Sequence, residues 1–231
     1  MTLDFGRFEA LTFDCYGTLI DWETGIARAL RAALGAGVPS SDDELLELYG
    51  RHESELEAGP YLAYREILSR ACVGVGRAYG IEVTDDAARR FGASVGDWPA
   101  FPDSADALAR LAARFRLGVL TNCDDDLFAL SEERLGVRFD WVVTAQQVRS
   151  YKPNPQHFLV AFERMDVRRD RILHVAQSLF HDHVPARRFG LATVWIDRRH
   201  DRPGFGATPP ATATPDLTAP DMATFADLAL A

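Results

Sequence analysis

The chain lacks most of what would tie it to a membrane, to nucleic acid or to an oxidising compartment. No apolar run approaches the roughly 20 residues that span a bilayer. The start, MTLDFGRFEA, has neither the basic residues nor the apolar stretch of a secretory signal. Only three cysteines occur, Cys15, Cys72 and Cys123, far apart and without metal-ligand or redox spacing. They read as reduced thiols packed as small hydrophobes, which points to a cytoplasmic protein. Positive charge is also scarce: 25 Lys and Arg stand against 34 Asp and Glu, a formal charge of −9. A groove that tracks phosphates needs clustered Lys and Arg. No such cluster is found, so nucleic acid is not an expected partner.

What is present suits a globular α/β protein. The 231 residues, 47% of them hydrophobic, allow one large domain or a core with a smaller insert. Short apolar runs at Ala10 to Phe13, Leu117 to Leu120, Trp141 to Val143, Ile172 to Ala176 and Thr193 to Ile196 read as buried parallel strands. Helical patterns follow several of them, roughly Asp125 to Leu135, Pro155 to Met165 and His181 to Phe189. Gly136 and Gly190 stand where two of these should stop.

Between Trp22 and Val95 the rhythm breaks into four helices: Glu23 to Leu34, Asp42 to Glu57, Tyr61 to Tyr79 and Asp85 to Ser94. Ser41 and Thr84 are placed to cap the second and fourth, and Pro60 to open the third. Either a long crossover or an inserted helical domain explains them, and so long a stretch without a strand favours the insert. Residues 198–219 turn to Pro, Thr, Ala and Gly, the composition of a surface loop. A last helix is expected over Asp221 to Leu230.

Four segments place polar groups just after a predicted strand. LTFDCYGTLIDW puts Asp14 at a strand end, with Gly17 to turn the backbone away. On its own, Asp14 could equally cap the next turn. LGVLTN ends in Thr121 and Asn122, RSYKPNP presents Lys152, and ILHVAQSLFHD offers Gln177, Ser178, His181 and Asp182. Open parallel sheets bind ligands at that edge, and four polar strand ends on one sheet converge on one crevice.

These blocks, in this order, resemble the haloacid dehalogenase superfamily over residues 8–20 and 98–200. The resemblance implies a Rossmann-like core, residues 1–21 and 96–231, with a helical cap inserted over 22–95. Phosphatase members carry an acid two places after the nucleophile, to protonate an alkoxide. Here that place holds Tyr16, and Gln177 stands where an acid would help bind magnesium. Both differences make the chain similar to the metal-independent 2-haloacid dehalogenase branch, which needs no cofactor.

That branch implies attack by Asp14 on the carbon of a small 2-substituted carboxylic acid, then hydrolysis of the resulting ester. Lys152 would pair with Asp14 and hold it ionised, and Asp182 would position Lys152 or the water. Thr121 and Asn122 would donate to the substrate. Tyr16, Gln177, Ser178 and His181 would line its site, and an arginine of the cap, Arg51 or else Arg65, would help expel the leaving group. A homodimer is an open expectation.

Departures from the branch are Leu179, where an Asn is usual, and Phe158, where a Tyr is usual. They leave open a ring-opening hydrolase of a strained cyclic amino acid, as in azetidine carboxylate hydrolases. A phosphatase with an altered site and a non-catalytic binding protein also remain.

Overall fold

Strands buried on both faces must be short and apolar throughout, and the strands here are. The computed structural model describes residues 3–35, 38, 41–202, 204 and 206–231. The five apolar runs form β1 (Ala10–Phe13), β2 (Arg116–Thr121), β3 (Trp141–Thr144), β4 (Ile172–Ala176) and β5 (Ala192–Ile196). A sixth strand, β6 (Leu217–Ala219), joins them in a fully parallel sheet of order β3-β2-β1-β4-β5-β6. This strand corrects the reading of 198–219 as loop throughout. It lies at the sheet edge, where a proline-rich neighbourhood is tolerated.

Register decides which residues meet. Phe13 lies level with Val119 on one side and Val175 on the other. The residues that follow β1, β2 and β4 therefore emerge along one edge. From β1 the chain runs on to β2, and from β4 to β5, in opposite directions along the sheet, so a crevice opens between β1 and β4.

Between β1 and β2 come α1 (Trp22–Leu34), α2 (Asp42–Glu57), α3 (Tyr64–Ala78), α4 (Asp85–Gly92) and α5 (Ser104–Ala112). Asp21, Ser41 and Thr84 cap α1, α2 and α4, and Glu44 completes a capping box with Ser41. Pro60 does not open α3. That helix begins at Tyr64, and the Asp124 carboxylate caps it from across the crevice, accepting from the backbone N–H groups of Tyr64 (2.9 Å) and Arg65 (3.0 Å). Leu30, Leu45, Ile67 and Phe91 of these helices share one apolar cluster with Leu11, Phe13 and Val119 of the sheet. On the opposite sheet face, Ala10, Leu120, Val143 and Ile172 pack with Phe158 and Leu191.

The rest of the chain comprises α6 (Asp125–Leu135), α7 (Ala145–Val148), α8 (Gln156–Arg164), a π-helical turn (Leu179–His183), α9 (Val184–Arg188) and α10 (Met222–Leu230). The π turn replaces the start of the helix expected from His181. Residues 206–210 lie against α2. A Cβ on Gly50 would come within 2.4 Å of the Ala207 carbonyl oxygen, so only glycine permits this approach. Glu23 ties the same segment down, accepting from the Ala207 backbone (3.3 Å) and from Arg199 (2.5 Å). Among the described residues no helix is long and apolar enough to cross a membrane.

Candidate active site

Asp14 leaves β1 into a turn that only glycine completes easily, since Gly17 has φ +87°. Thr18, four residues on, folds back. Its hydroxyl donates to Asp14 Oδ2 (2.9 Å) and accepts from the Gln177 backbone N–H (2.9 Å). Lys152 Nζ donates to Asp14 Oδ1 (2.9 Å), Asp182 Oδ1 (2.7 Å) and the Leu120 carbonyl (2.8 Å). An ammonium group has three protons, and all three are engaged.

Behind Lys152, Asp182 is fully buried. His174 Nε2 lies 3.0 Å from its Oδ1, and Thr12 lies 2.9 Å from His174 Nδ1. A carboxylate can only accept, so the network puts a proton on His174 Nε2.

One cation thus serves two buried carboxylates. Burial works against the charge on Lys152, but Asp14 and Asp182 outweigh it and raise its pKa. Burial also opposes the Asp182 charge. Lys152 and the His174 hydrogen bond overcome it and hold the carboxyl below its usual range. Asp14 goes the other way: burial raises it, Asp182 adds to the rise, and Lys152 and Thr18 offset only part.

A cavity of about 30 Å³ lies over Asp14. Its walls include Tyr16, Asn122, Lys152, Gln177, Ser178 and His181, which the sequence singles out. Asn122 also clamps the lysine loop, accepting from the Lys152 N–H (2.7 Å) and donating to its carbonyl (3.2 Å). His181 Nδ1 lies 3.1 Å from Ser178 Oγ, and burial holds the imidazole down at about 4, so it is neutral at pH 7. Outside, a hollow of about 480 Å³ shares Glu57, Lys152 and His181 with the cavity and opens past Tyr61 and Arg149.

Three expected residues are placed elsewhere. Arg51 is exposed and faces a groove between α2 and residues 206–210. Glu53 of the same helix faces the cavity, and residues two apart lie on different helix faces. Arg65 is exposed too and pairs with Asp126 at 2.8 Å. Thr121 is buried without a place in the cavity wall, and its hydroxyl has no partner among the described residues. The Tyr16 ring lines the cavity, but its hydroxyl bonds Ser131 (3.0 Å) and Cys123 (3.3 Å). His183 is buried against the Ala176 carbonyl.

The cavity wall also holds residues outside the expected site set. Glu53, Glu57 and Tyr64 come to the cavity from α2 and α3, Trp22 from α1 and Thr208 from the segment before β6. Thr18 lay inside the quoted motif. The 49, 53, 57 spacing was the available signal for one face of α2.

A magnesium ion does not fit these donors. Both Asp14 oxygens are engaged, Gln177 offers a neutral amide, and Asp182 is behind Lys152. Among the described residues no cluster of three His, Cys, Asp or Glu side chains is arranged to hold a metal ion.

Comparison with known proteins agrees with this geometry. A family model for haloacid dehalogenase-like hydrolases matches residues 8–179, so the chain belongs to that family. It is similar to (S)-2-haloacid dehalogenase 1 of Pseudomonas sp. (strain CBS-3), 26% identical over 82% of this chain and 84% of that protein. Haloacetate dehalogenase H-2 of Moraxella sp. (strain B) is also 26% identical, over 94% of this chain and 95% of its own length. The fold is that of the L-2-haloacid dehalogenase from Xanthobacter autotrophicus. That match has a TM-score of 0.80 at 19% identity and covers 96% of this chain and 98% of the other.

Proposed function

We propose that this hydrolase displaces a leaving group, a halide in the simplest case, from a small 2-substituted carboxylic acid through an ester on Asp14. The observation that carries the reading is the pairing of Asp14 with Lys152 at 2.9 Å beneath a cavity with no second acid on its own loop. The names of the similar proteins support the halide.

In this reading Asp14 attacks the carbon and the carbon–halogen bond breaks, its electron pair leaving with the halide. A halide needs no proton, which suits Tyr16 at a place where a neutral-pH acid would otherwise be required. Water then adds to the Asp14 carbonyl and releases an alcohol and one proton. His181, neutral and in the cavity wall, is the base at hand for that water. Lys152 orients Asp14, and Asp182 orients Lys152. The helices of residues 22–95 act as a cap over the core of 1–21 and 96–231, excluding bulk water.

Mass spectrometry of the Asp14 peptide after brief reaction with 2-chloropropionate tests the mechanism. The expected result is a mass gain on Asp14, lost on further incubation, and neither gain nor halide release with Asp14→Asn. Halide release by Asp14→Asn within tenfold of the wild-type rate would overturn the covalent route.

A further inference from the structure

The cavity over Asp14 is acidic where the sequence led us to expect an arginine. Glu53 and Glu57 lie one turn apart on α2 and both line it, together with Asp14. Glu53 is only 5% exposed. Its Oε1 accepts from both the Tyr49 hydroxyl (2.6 Å) and the Tyr64 hydroxyl (2.8 Å). Its Oε2 has no hydrogen-bond donor among the described residues. Glu57 has only the Asn122 amide, at 3.4 and 3.5 Å.

Cationic side chains are few in the same space. Among the described residues Lys152 is the only Lys or Arg in the cavity wall, and its three protons are engaged. The Asn122 amide is taken up by Glu57 and the Lys152 carbonyl, and His181 is uncharged at neutral pH. A small carboxylate entering alone would meet no uncommitted cationic side chain among the described residues. Burying charge without a partner is costly.

From this arrangement we infer that the substrate, besides the carboxylate of the displacement reading, carries an ammonium group, received by Glu53 Oε2 and Glu57 while Asp14 faces the reacting carbon. The inference rests on the displacement reading for the chemistry, but the charge preference stands on the cavity wall itself. Tyr49 and Tyr64 are positioning residues: their hydroxyls fix Glu53 Oε1 and leave Oε2 turned to the ligand. Burial raises both carboxyls, Glu53 to about 7 and Glu57 well above its ordinary range, with the Glu53 charge adding to the rise at Glu57. Each carboxyl thus holds its proton more readily in this cavity, and a cation between them draws both back toward the ionised form.

Three isosteric probes separate the charges: n-propylammonium, propionate and propionamide, titrated into the wild-type protein by ligand-observed NMR. Propylammonium should bind at least tenfold more tightly than either of the others. Glu53→Gln and Glu57→Gln should each remove most of that preference, and Glu55→Gln, on another face of α2, should keep it. Propionate binding as well as propylammonium would overturn the inference.

Halide release from 2-bromoethylammonium and bromoacetate, followed together with the mass of the Asp14 peptide, tests the chemistry apart from the charge. The ammonium compound should be the better substrate. An ammonium preference in binding without an Asp14 adduct from either compound would remove the displacement reading and leave the cation subsite. Adducts from both, with bromoacetate bound and turned over preferentially, would do the reverse.

Discussion

Asp182 lies 2.7 Å from Lys152 yet forms no part of the cavity wall, so its effect on Asp14 passes through a single ammonium group and through space. Its charge is one of the causes that raise the Asp14 carboxyl. In Asp182→Asn, Lys152 keeps a hydrogen-bond acceptor but has one carboxylate instead of two. The Asp14 pKa should fall, and with it the acid limb of the kcat/KM profile should move to lower pH. An unmoved acid limb would uncouple the two residues. Some stability is lost as well, roughly 1–3 kcal/mol for a disturbed buried charge-assisted bond.

Thr18→Val removes the donor to Asp14 Oδ2 and leaves the Gln177 N–H without its acceptor. The unsatisfied amide should cost about 1–3 kcal/mol, measurable by urea unfolding. Each 1.4 kcal/mol lost in holding the nucleophile is about tenfold in rate, and at least that is expected in kcat. Thr18→Ser, which keeps both bonds, should restore most of the rate.

Glu53 gives a pH-dependent stability of defined sign. Its carboxyl is raised by burial from 4.5 to about 7. The folded state therefore holds the proton more tightly, and stability is lost as pH rises from about 4.5 through 7. Glu53→Gln cannot ionise. It should be more stable than wild type at pH 8, on the order of 2–3 kcal/mol, and the difference should vanish near pH 4. A gain independent of pH would mean that ionisation is not its source.

Chelation offers a simpler check. Because Gln177 and the engaged oxygens of Asp14 make a poor magnesium site, EDTA and added magnesium should each leave turnover unchanged. Strong stimulation by the metal would return the chain to the phosphatase side of its family.

Asp14 was legible because it follows an apolar run directly, and a parallel sheet delivers such residues to one edge; Lys152 lies past β3 and α7 and was legible only from the Lys-Pro block of the resemblance. Glu53 and Glu57 were not. A glutamate on a polar helix face usually faces solvent, and nothing in the order of residues tells that α2 turns this face toward Asp14. Arg51 misled for the same reason, being two residues from Glu53 and so on another face. The start of α3 was missed because its cap, Asp124, is 60 residues away in the chain. α5 was legible, since Ser104, Ala107, Leu108 and Leu111 have helical spacing and are buried on one face. β6 was not, being three residues set among prolines and threonines. Strands β1 to β5 were plain because branched apolar runs bounded by polar residues have few other uses.

The 30 Å³ over Asp14 is room for a water molecule or so and little else. Glu57, Lys152 and His181 border both this space and the 480 Å³ hollow, so the nucleophile's own partner also stands at the way in from that side. On the other side, α2 meets the segment before β6 through glycine against backbone, Gly50 on Ala207.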